Sequence, residues 1–254
     1  MNKPSRAAAD PVHQRLVDQY TQIASLAGGL AHEIKNPLST IRLNMELLAE
    51  DFSVAQTPSE RRALARIETV QEECLRLEHL LNDFLNFAKV RAPRLEPTDL
   101  NREVERVLQF FAARAAESKV EIVRFLDPDL PTVTLDREQF YGALVNLVIN
   151  ALEAMPEGGT LVARTHPSSA GVRLVLIDTG CGMSQQTRAQ IFDAFYSTKS
   201  GGSGLGLPTA RKIIEAHGGR IEVESEVGKG TQFTIELPSL PRLARAEPRP
   251  ALPR

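Results

Sequence analysis

Apolar residues recur at every third or fourth position in two long stretches between about residues 14 and 92, and this spacing predicts two amphipathic helices. The first stripe consists of Ile23, Leu26, Leu30, Ile34, Leu38, Ile41, Met45 and Leu48, and the second of Leu64, Ile67, Val70, Cys74, Leu77, Leu81, Phe84 and Ala88. The polar segment Asp51–Glu60 contains Pro58 and predicts a connection between them. Because two helices alone bury such stripes poorly, we expect two hairpins to pair as a homodimeric four-helix bundle.

A mixed pattern of helical and alternating segments follows. Helices are predicted over Leu100–Ser118 and Leu207–His217. Between them, a third helix is predicted to begin at Asp136, with Gln139 as the capping partner, and to stop at Pro156–Gly159. Strands are predicted over Val120–Leu126, Thr160–Thr165, Val172–Asp178, Arg220–Ser225 and Gln232–Leu237. Intermixed helices and mostly antiparallel strands indicate an α/β sandwich with helices on one face of a sheet. We therefore expect domains over residues 13–93 and 97–238, with disordered tails at residues 1–12 and 239–254.

Charge and composition exclude several classes of function. Lys and Arg total 30 against 32 Asp and Glu, a net charge of −2, so no basic excess favours nucleic acid. No apolar run approaches the ~20 residues of a membrane-spanning helix, and residues 1–15 lack the pattern of a secretory signal. The two cysteines, Cys74 and Cys181, are too few for a disulfide framework or a cysteine-based metal site. We therefore expect a cytoplasmic location.

The sequence LAHEIKNPL, residues 30–38, is the first stretch with candidate chemistry. At 100° per residue, His32 points away from the apolar stripe of its helix. Glu33 is placed to hold one imidazole nitrogen and orient the other, as a carboxylate does beside a nucleophilic histidine, and Asn36 lies one turn further on the same face. Pro37 removes a backbone hydrogen bond inside the helix at a cost of about 3 kcal/mol. These features favour a reactive histidine beside a hinge over a solvated side chain.

Two further stretches carry polar residues suited to a nucleotide. In NLVINA, the amides of Asn146 and Asn150 share one helix face, and amide oxygens are hard ligands suited to Mg²⁺; a pair of surface amides is the alternative. In IDTGCGM, Asp178 ends an apolar strand and can accept a hydrogen bond from an exocyclic amine such as that of adenine. Gly180 and Gly182 let the backbone turn tightly and approach a ring, although an ordinary turn after a strand would have the same residues.

A glycine-rich segment, GGSGLGL at residues 201–207, immediately precedes a predicted helix. Free N–H groups and the helix dipole both favour an anion at such a place, so the segment predicts a phosphate cradle. The strand–turn–helix context of a dinucleotide fold is missing here. Just upstream, aromatic residues and Lys199 predict a short lid, with Lys199 reaching for phosphate.

Taken in order, these stretches resemble the histidine protein kinases of two-component signalling over roughly residues 20–238. LAHEIKNPL resembles the phosphoacceptor box, NLVINALEA the N box, DTGCGM the first glycine box, IFDAFYSTK the F box, SGGSGLGL the second glycine box, and GKGTQFTIELP the closing strand motif. The resemblance implies a dimerisation and phosphotransfer hairpin followed by an ATP-binding domain of the type shared with gyrase, HSP90 and MutL. The short lid most resembles the nitrogen-regulation branch of the family.

For phosphotransfer, the resemblance implies that His32 is the phosphorylated nucleophile and Glu33 its general base. Asn36 would position the water or the aspartyl phosphate when a response regulator is dephosphorylated. The implied partners are a second copy of the chain and the receiver domain of a response regulator.

For the nucleotide, the resemblance implies ATP and Mg²⁺, with Asn150 binding the metal, Asn146 beside the phosphates and Asp178 reading adenine. The other residues implied in binding are Gly180 and Gly182 at the adenine, and Lys199, Gly202, Gly204, Leu205, Gly206 and Thr231 at the phosphates. Glu153 departs from the family, because a lysine that contacts phosphate is frequent at this position. A carboxylate would instead hold a metal-bound water or have no catalytic part.

Two other classes of function remain open. The second half also resembles chaperone and mismatch-repair ATPases and the serine kinases that act on anti-sigma antagonists, but those lack a His-Glu helical hairpin ahead of the ATP domain. A non-catalytic dimeric scaffold is the third reading, and the intact His32, Asn150 and Asp178 argue against it. Residues 1–20 are too short for a folded input domain, so either a partner protein supplies the signal or the chain is the core of something longer.

Overall fold

A computed structural model describes residues 33–52, 57–88, 91–199 and 201–239. His32 and both tails, apart from Ser239, lie outside these described residues. Within them, no helix is long and apolar enough to cross a membrane. The chain divides into two compact units.

The first unit contains the helical hairpin together with the segment Ala194–Leu205. Helix α1 covers residues 33–51 of the described chain, and α2 spans Pro58–Ala88. A reciprocal capping box starts α2: the hydroxyl of Thr57 accepts the N–H of Glu60 at 3.2 Å, and the Glu60 carboxylate accepts the N–H of Thr57 at 2.9 Å. The predicted helical hairpin is confirmed over the described residues, whereas Ile23, Leu26 and Leu30 of the first stripe lie outside them.

The second unit contains Ala92–Asp193 and the chain from Gly206 onward. Its helices are α3 (Leu100–Phe110), α4 (Ala112–Glu117), α5 (Arg137–Glu153), α6 (Gln185–Gln190) and α7 (Gly206–Ala216). Its strands are β1 (Glu96–Thr98), β2 (Val120–Leu126), β3 (Val133–Leu135), β4 (Gly159–Ser168), β5 (Gly171–Asp178), β6 (Arg220–Glu226) and β7 (Gly230–Leu237). A five-stranded sheet has the order β2-β4-β5-β7-β6, with β2 and β4 parallel and the other pairs antiparallel, while β1 and β3 form a separate two-stranded sheet.

Successive side chains of a strand point to opposite faces of the sheet, so the buried residues show which face of the five-stranded sheet is covered. On β5, Val172, Leu174 and Leu176 are each at most 4% exposed, and α5 packs against this strand with Phe140 and Leu144 also buried. The intervening residues of the strands, many of them charged, lie on the opposite face. The predicted α/β sandwich with helices on one face of a mostly antiparallel sheet is confirmed.

The predicted start of α5 is also confirmed. Asp136 is its N-cap, and its carboxylate accepts the backbone N–H of Gln139 at 3.2 Å. The Gln139 side chain completes the cap differently from an ordinary capping box, because its amide nitrogen donates to the other Asp136 oxygen at 3.0 Å.

Several short features differ from the sequence-based expectation. Strand β4 continues to Ser168 instead of ending at Thr165, because Pro167 lies beyond the last residue that pairs with β2, where no N–H donor is required. The helix predicted over Leu100–Ser118 is broken at Phe111 into α3 and α4. Strands β1 and β3, of three residues each, and α6, of six, are too short to produce a recognisable periodicity.

Candidate nucleotide and phosphoacceptor sites

Asp178 lies at the end of β5, on the covered face of the sheet, and is 4% exposed. Its Oδ1 atom accepts two backbone N–H groups, from Gly180 at 2.9 Å and from Thr231 on the neighbouring strand β7 at 3.2 Å. An ionised carboxylate offers about four lone-pair positions, and these two bonds fix its orientation. The structure therefore brings Thr231 together with Asp178.

The glycines around Asp178 permit close approach between protein segments. A Cβ atom at Gly180 would lie 2.6 Å from the carbonyl oxygen of Ala154, the residue that caps the end of α5. A Cβ atom at Gly230 would overlap the carbonyl oxygen of Asp178, and Gly230 has a φ of 96°. The sequence predicts that Gly180 and Gly182 let the backbone approach a ring, whereas in the structure Gly180 and Gly230 let α5 and β7 contact the backbone beside Asp178.

Asn146 and Asn150 lie one turn apart on α5, and both are half-buried. The amide nitrogen of Asn150 donates to the backbone carbonyl of Asn146 at 3.0 Å, which orients the side-chain amide. The side chain of Asn146 lies beside the first residue of α7: its Oδ1 atom is 3.6 Å from the position of a Cβ atom at Gly206. The fold thus brings Asn146 to the N-terminus of α7, where the helix dipole favours an anion.

The amide oxygen of Asn150 is of the ligand type that Mg²⁺ prefers, since Mg²⁺ takes oxygen ligands and retains several waters beside nucleotide phosphates. The Asn150 nitrogen is used by the helix, so its amide oxygen is the atom suited to a metal. Among the described residues, no group of three or more His, Cys, Asp or Glu side chains could hold a metal ion. Glu153, one turn beyond Asn150, is exposed.

The lid predicted between the F box and the glycine-rich segment is a loop closed by its own hydrogen bonds. The N–H of Phe195 donates to the carbonyl of Gly204 at 3.1 Å, and the N–H of Gly202 donates to the carbonyl of Lys199 at 3.3 Å. Gly204 has a φ of 66°, and a Cβ atom there would lie 2.5 Å from the carbonyl carbon of Phe195. Lys199 is exposed, whereas Leu205 is 1% exposed.

Of the phosphoacceptor residues, Glu33 and Asn36 are described and His32 is not. Both side chains are exposed on α1, and α1 is helical on both sides of Pro37. The backbone carbonyl of Asn36 accepts the hydroxyl of Thr40 at 3.1 Å. The amide of Asn36 therefore belongs to a regular helical turn and faces solvent in this unit.

Two residues at these sites were not predicted from the sequence. The sequence predicts a glycine turn that contains Gly230 but not its place in the Asp178 site, although a glycine after Lys229 in such a turn is a signal for the positive φ that it has. For Ser203, the sequence predicts only that it belongs to the glycine-rich segment. It donates to Asp83 on α2 and accepts the N–H of Leu205, and no pattern in the sequence links residues 120 positions apart.

An ATPase-type sandwich preceded by a helical hairpin defines a histidine kinase catalytic core, and comparison with known proteins gives the same class. The family model for the His Kinase A (phospho-acceptor) domain matches residues 22–93, and the model for the histidine kinase-, DNA gyrase B- and HSP90-like ATPase matches residues 135–241. The sensor histidine kinase ZraS of Escherichia coli (strain K12) is 31% identical over 221 residues, which are 87% of this chain and 46% of ZraS.

Two solved structures extend this comparison. Full-length ShkA in complex with AMPPNP is 30% identical with a TM-score of 0.67, over 85% of this chain and 46% of ShkA. The catalytic domain of histidine kinase ThkA in a nucleotide-free form is 30% identical with a TM-score of 0.53, over 57% of this chain and 96% of that domain. The chain belongs to the histidine kinases of two-component signalling. It spans about half the length of ZraS.

Proposed function

We propose that this chain transfers the γ-phosphoryl group of ATP to His32 and then to an aspartate of a response regulator. The observation that carries the proposal is a phosphoacceptor domain containing His32 ahead of an ATPase domain in which Asp178 is buried and held by two backbone N–H groups. The proposed domains are residues 13–93 for dimerisation and phosphotransfer and residues 97–238 for ATP binding.

In the proposed nucleotide site, Asp178 accepts the exocyclic amine of adenine. Its buried position and fixed Oδ1 atom favour recognition of a donor, because a carbonyl at the same place would face the carboxylate without a proton between them. The backbone N–H of Thr231, a residue that the resemblance places at the phosphates, holds Asp178 in place. The backbone of Gly180 and Gly182 forms the wall beside it. Selectivity for ATP over GTP follows from this arrangement.

The phosphates are proposed to bind at the N-terminus of α7, where Asn146 lies beside Gly206. The other residues proposed to contact phosphate are Lys199, Gly202, Gly204 and Leu205. Asn150 is proposed to bind Mg²⁺ through its amide oxygen, and the metal would neutralise charge on the phosphates when bound. Glu153 is proposed to hold a metal-bound water.

In the phosphotransfer step, an imidazole nitrogen of His32 forms a bond to the γ-phosphorus while the bond from phosphorus to the bridging oxygen of ADP breaks. Glu33 accepts the proton released from the imidazole. In the second step, a carboxylate oxygen of the regulator's aspartate attacks the same phosphorus, and His32 leaves as a neutral imidazole after taking up a proton. Asn36 is proposed to orient water for the later hydrolysis of the aspartyl phosphate.

A homodimer is part of the proposal because the hairpin leaves much of its apolar stripe uncovered. Leu38, Ile67 and Cys74 are at most 8% exposed, as expected for residues between α1 and α2. Other stripe residues are 39–48% exposed in the single chain, namely Ile34, Ile41, Leu48, Val70 and Leu77. A second hairpin would cover these residues as the bundle predicted from the sequence requires.

A cytoplasmic location is also proposed, since the free thiols Cys74 and Cys181 suit the reducing compartment in which ATP is available. The signal is proposed to arrive from an input partner or from further sequence of a longer protein.

Incubation of the full chain with γ-labelled ATP tests the function. We expect label that is lost in acid and retained in base, as phosphohistidine is, and that moves to one member of a panel of response regulators. His32→Gln should abolish the label while leaving nucleotide affinity within about two-fold of wild type. Acid-stable label would favour a serine kinase, and a chain that takes up no label would favour an ATPase or a scaffold.

A further inference from the structure

A hydroxyl in the glycine-rich segment joins that segment to the helical hairpin. Ser203 donates its hydroxyl proton to the Asp83 carboxylate on α2, with an oxygen–oxygen distance of 2.5 Å. The same hydroxyl oxygen accepts the backbone N–H of Leu205 at 3.3 Å. Ser203 and Asp83 are both half-buried. A hydrogen bond from a hydroxyl to an ionised carboxylate is short and roughly twice as strong as a neutral one, so this link is more than an incidental surface contact.

The second hydrogen bond of Ser203 occupies the backbone N–H of Leu205, a donor that the proposed function assigns to the phosphates of the nucleotide. The N–H of Leu205 is one of the backbone donors proposed to face the phosphates. A strong, linear hydrogen bond from one N–H goes to a single acceptor. A phosphate oxygen that takes the N–H of Leu205 would therefore displace the hydroxyl of Ser203.

The negative charge of Asp83 also disfavours phosphate binding at Leu205. The carboxylate of Asp83 lies at the other end of the Ser203 hydroxyl, so phosphates brought to Leu205 would add negative charge near an existing negative charge. Like charges this close repel, and a half-buried position weakens the screening that water and salt provide.

We propose that Asp83 is a positioning residue that, through Ser203, holds the glycine-rich segment on α2 in competition with the phosphates of the nucleotide. This inference rests on the proposed nucleotide site. Nucleotide binding then releases the segment from α2, and docking of the segment on α2 lowers nucleotide affinity. By thermodynamic linkage, nucleotide binding weakens the docking of the segment by the same factor by which docking weakens nucleotide binding.

The test measures the affinity of the full chain for AMPPNP in the presence of Mg²⁺ by calorimetry. Asp83→Asn removes the charge at nearly constant shape, and Ser203→Ala removes the hydroxyl that occupies the N–H of Leu205. Each variant should bind AMPPNP about five-fold more tightly than wild type, as expected for the loss of one competing hydrogen bond. The double variant should gain less affinity than the two single gains combined, because both changes weaken the same link between Ser203 and Asp83.

Glu72→Gln is the matched control, since it removes the same charge from an exposed position 11 residues earlier on α2, and its affinity should equal that of wild type. Urea unfolding of each variant reports whether the fold is intact. Unchanged or weaker AMPPNP binding by both single variants, with wild type binding normally, would overturn the role of Asp83, as would additive gains in the double variant. Failure of the wild-type chain to bind AMPPNP at all would overturn the proposed function itself.

Discussion

The buried ring of His217, at the end of α7, accepts the backbone N–H of Asp136 at 2.9 Å through its Nε2 atom. Its Nδ1 atom lies 2.7 Å from the carbonyl of Ile213, one turn earlier on α7. The N–H of Asp136 needs a lone pair on Nε2, and the carbonyl of Ile213 needs a donor on Nδ1, so the two bonds fix the orientation and tautomer of the ring. One side chain thus joins the end of α7 to the start of α5, the two helices that carry the proposed phosphate site.

Substitution of His217 should destabilise the ATP-binding domain. His217→Ala would remove the acceptor of the Asp136 N–H and leave a cavity of about the size of the imidazole ring. We therefore expect a loss of about 2–4 kcal/mol in the free energy of unfolding. Urea unfolding followed by circular dichroism measures this loss. His79→Ala, at an exposed position on α2, should change stability by less than about 0.5 kcal/mol. Similar effects of the two substitutions would contradict the role of His217.

A carboxylate on the uncovered face of the sheet predicts how stability depends on pH. Arg173 hydrogen-bonds to Glu236 and holds the pKa of that carboxyl below its usual range, with a further contribution from Arg220 at 2.8 Å. An unfolded glutamate titrates near pH 4.3. Because the folded pKa lies lower, the ion pairs stabilise the fold above about pH 4.3, and this contribution is lost as the pH falls through the folded pKa.

Glu236→Gln should therefore flatten the fall in the free energy of unfolding as pH drops from about 5 to 3. The measurement is a series of urea unfolding curves across that range. Glu224→Gln removes an exposed carboxylate from β6 on the same face and should leave the slope close to that of wild type. An unchanged slope in Glu236→Gln would show that Arg173 does not lower the pKa in solution.

Asp178→Asn should weaken nucleotide binding. The two backbone N–H groups require an oxygen at the Oδ1 position, so the new amide nitrogen would face the adenine amine, donor against donor. We expect a loss of about 1–3 kcal/mol in binding free energy, measured by calorimetry with ADP. Asp193→Asn changes an exposed carboxylate of the same unit and serves as the control. Equal affinity of the wild-type chain for ATP and GTP would count against Asp178 as the group that reads adenine.

Asn36→Ala should separate two activities. Asn36 is exposed one turn beyond His32 and lies outside the path of the histidine proton, so autophosphorylation should stay within a few-fold of wild type. Dephosphorylation of the regulator should slow by about ten-fold or more, which is about 1.4 kcal/mol for one lost catalytic hydrogen bond. The assay follows decay of labelled regulator phosphate in the presence of ADP. Asn44→Ala, an exposed amide two turns further on α1, is the control, and equal decay rates would make Asn36 a structural residue.

Much of the fold was predictable because its long elements have clear periods. The stripes of α1 and α2 recur at helical spacing, and β2 and β5 appear at or within one residue of their predicted bounds. The polar residues with candidate chemistry could also be found from the sequence, because each stands beside a change of element: Asp178 after an apolar strand, and the glycine-rich segment before α7. Residue type and local spacing carry this information directly.

Only the tertiary structure decided which groups these residues contact. Asp178 is held by a backbone N–H 53 residues later, His217 accepts one from 81 residues earlier, and Ser203 reaches a carboxylate 120 residues earlier. In two of these three contacts the partner is a backbone N–H, which every residue except proline carries. The residue type at the donor position therefore does not reveal the contact. Local periodicity fixes the elements and their faces, but contacts at long sequence separation exist only once the strands pair and the helices pack.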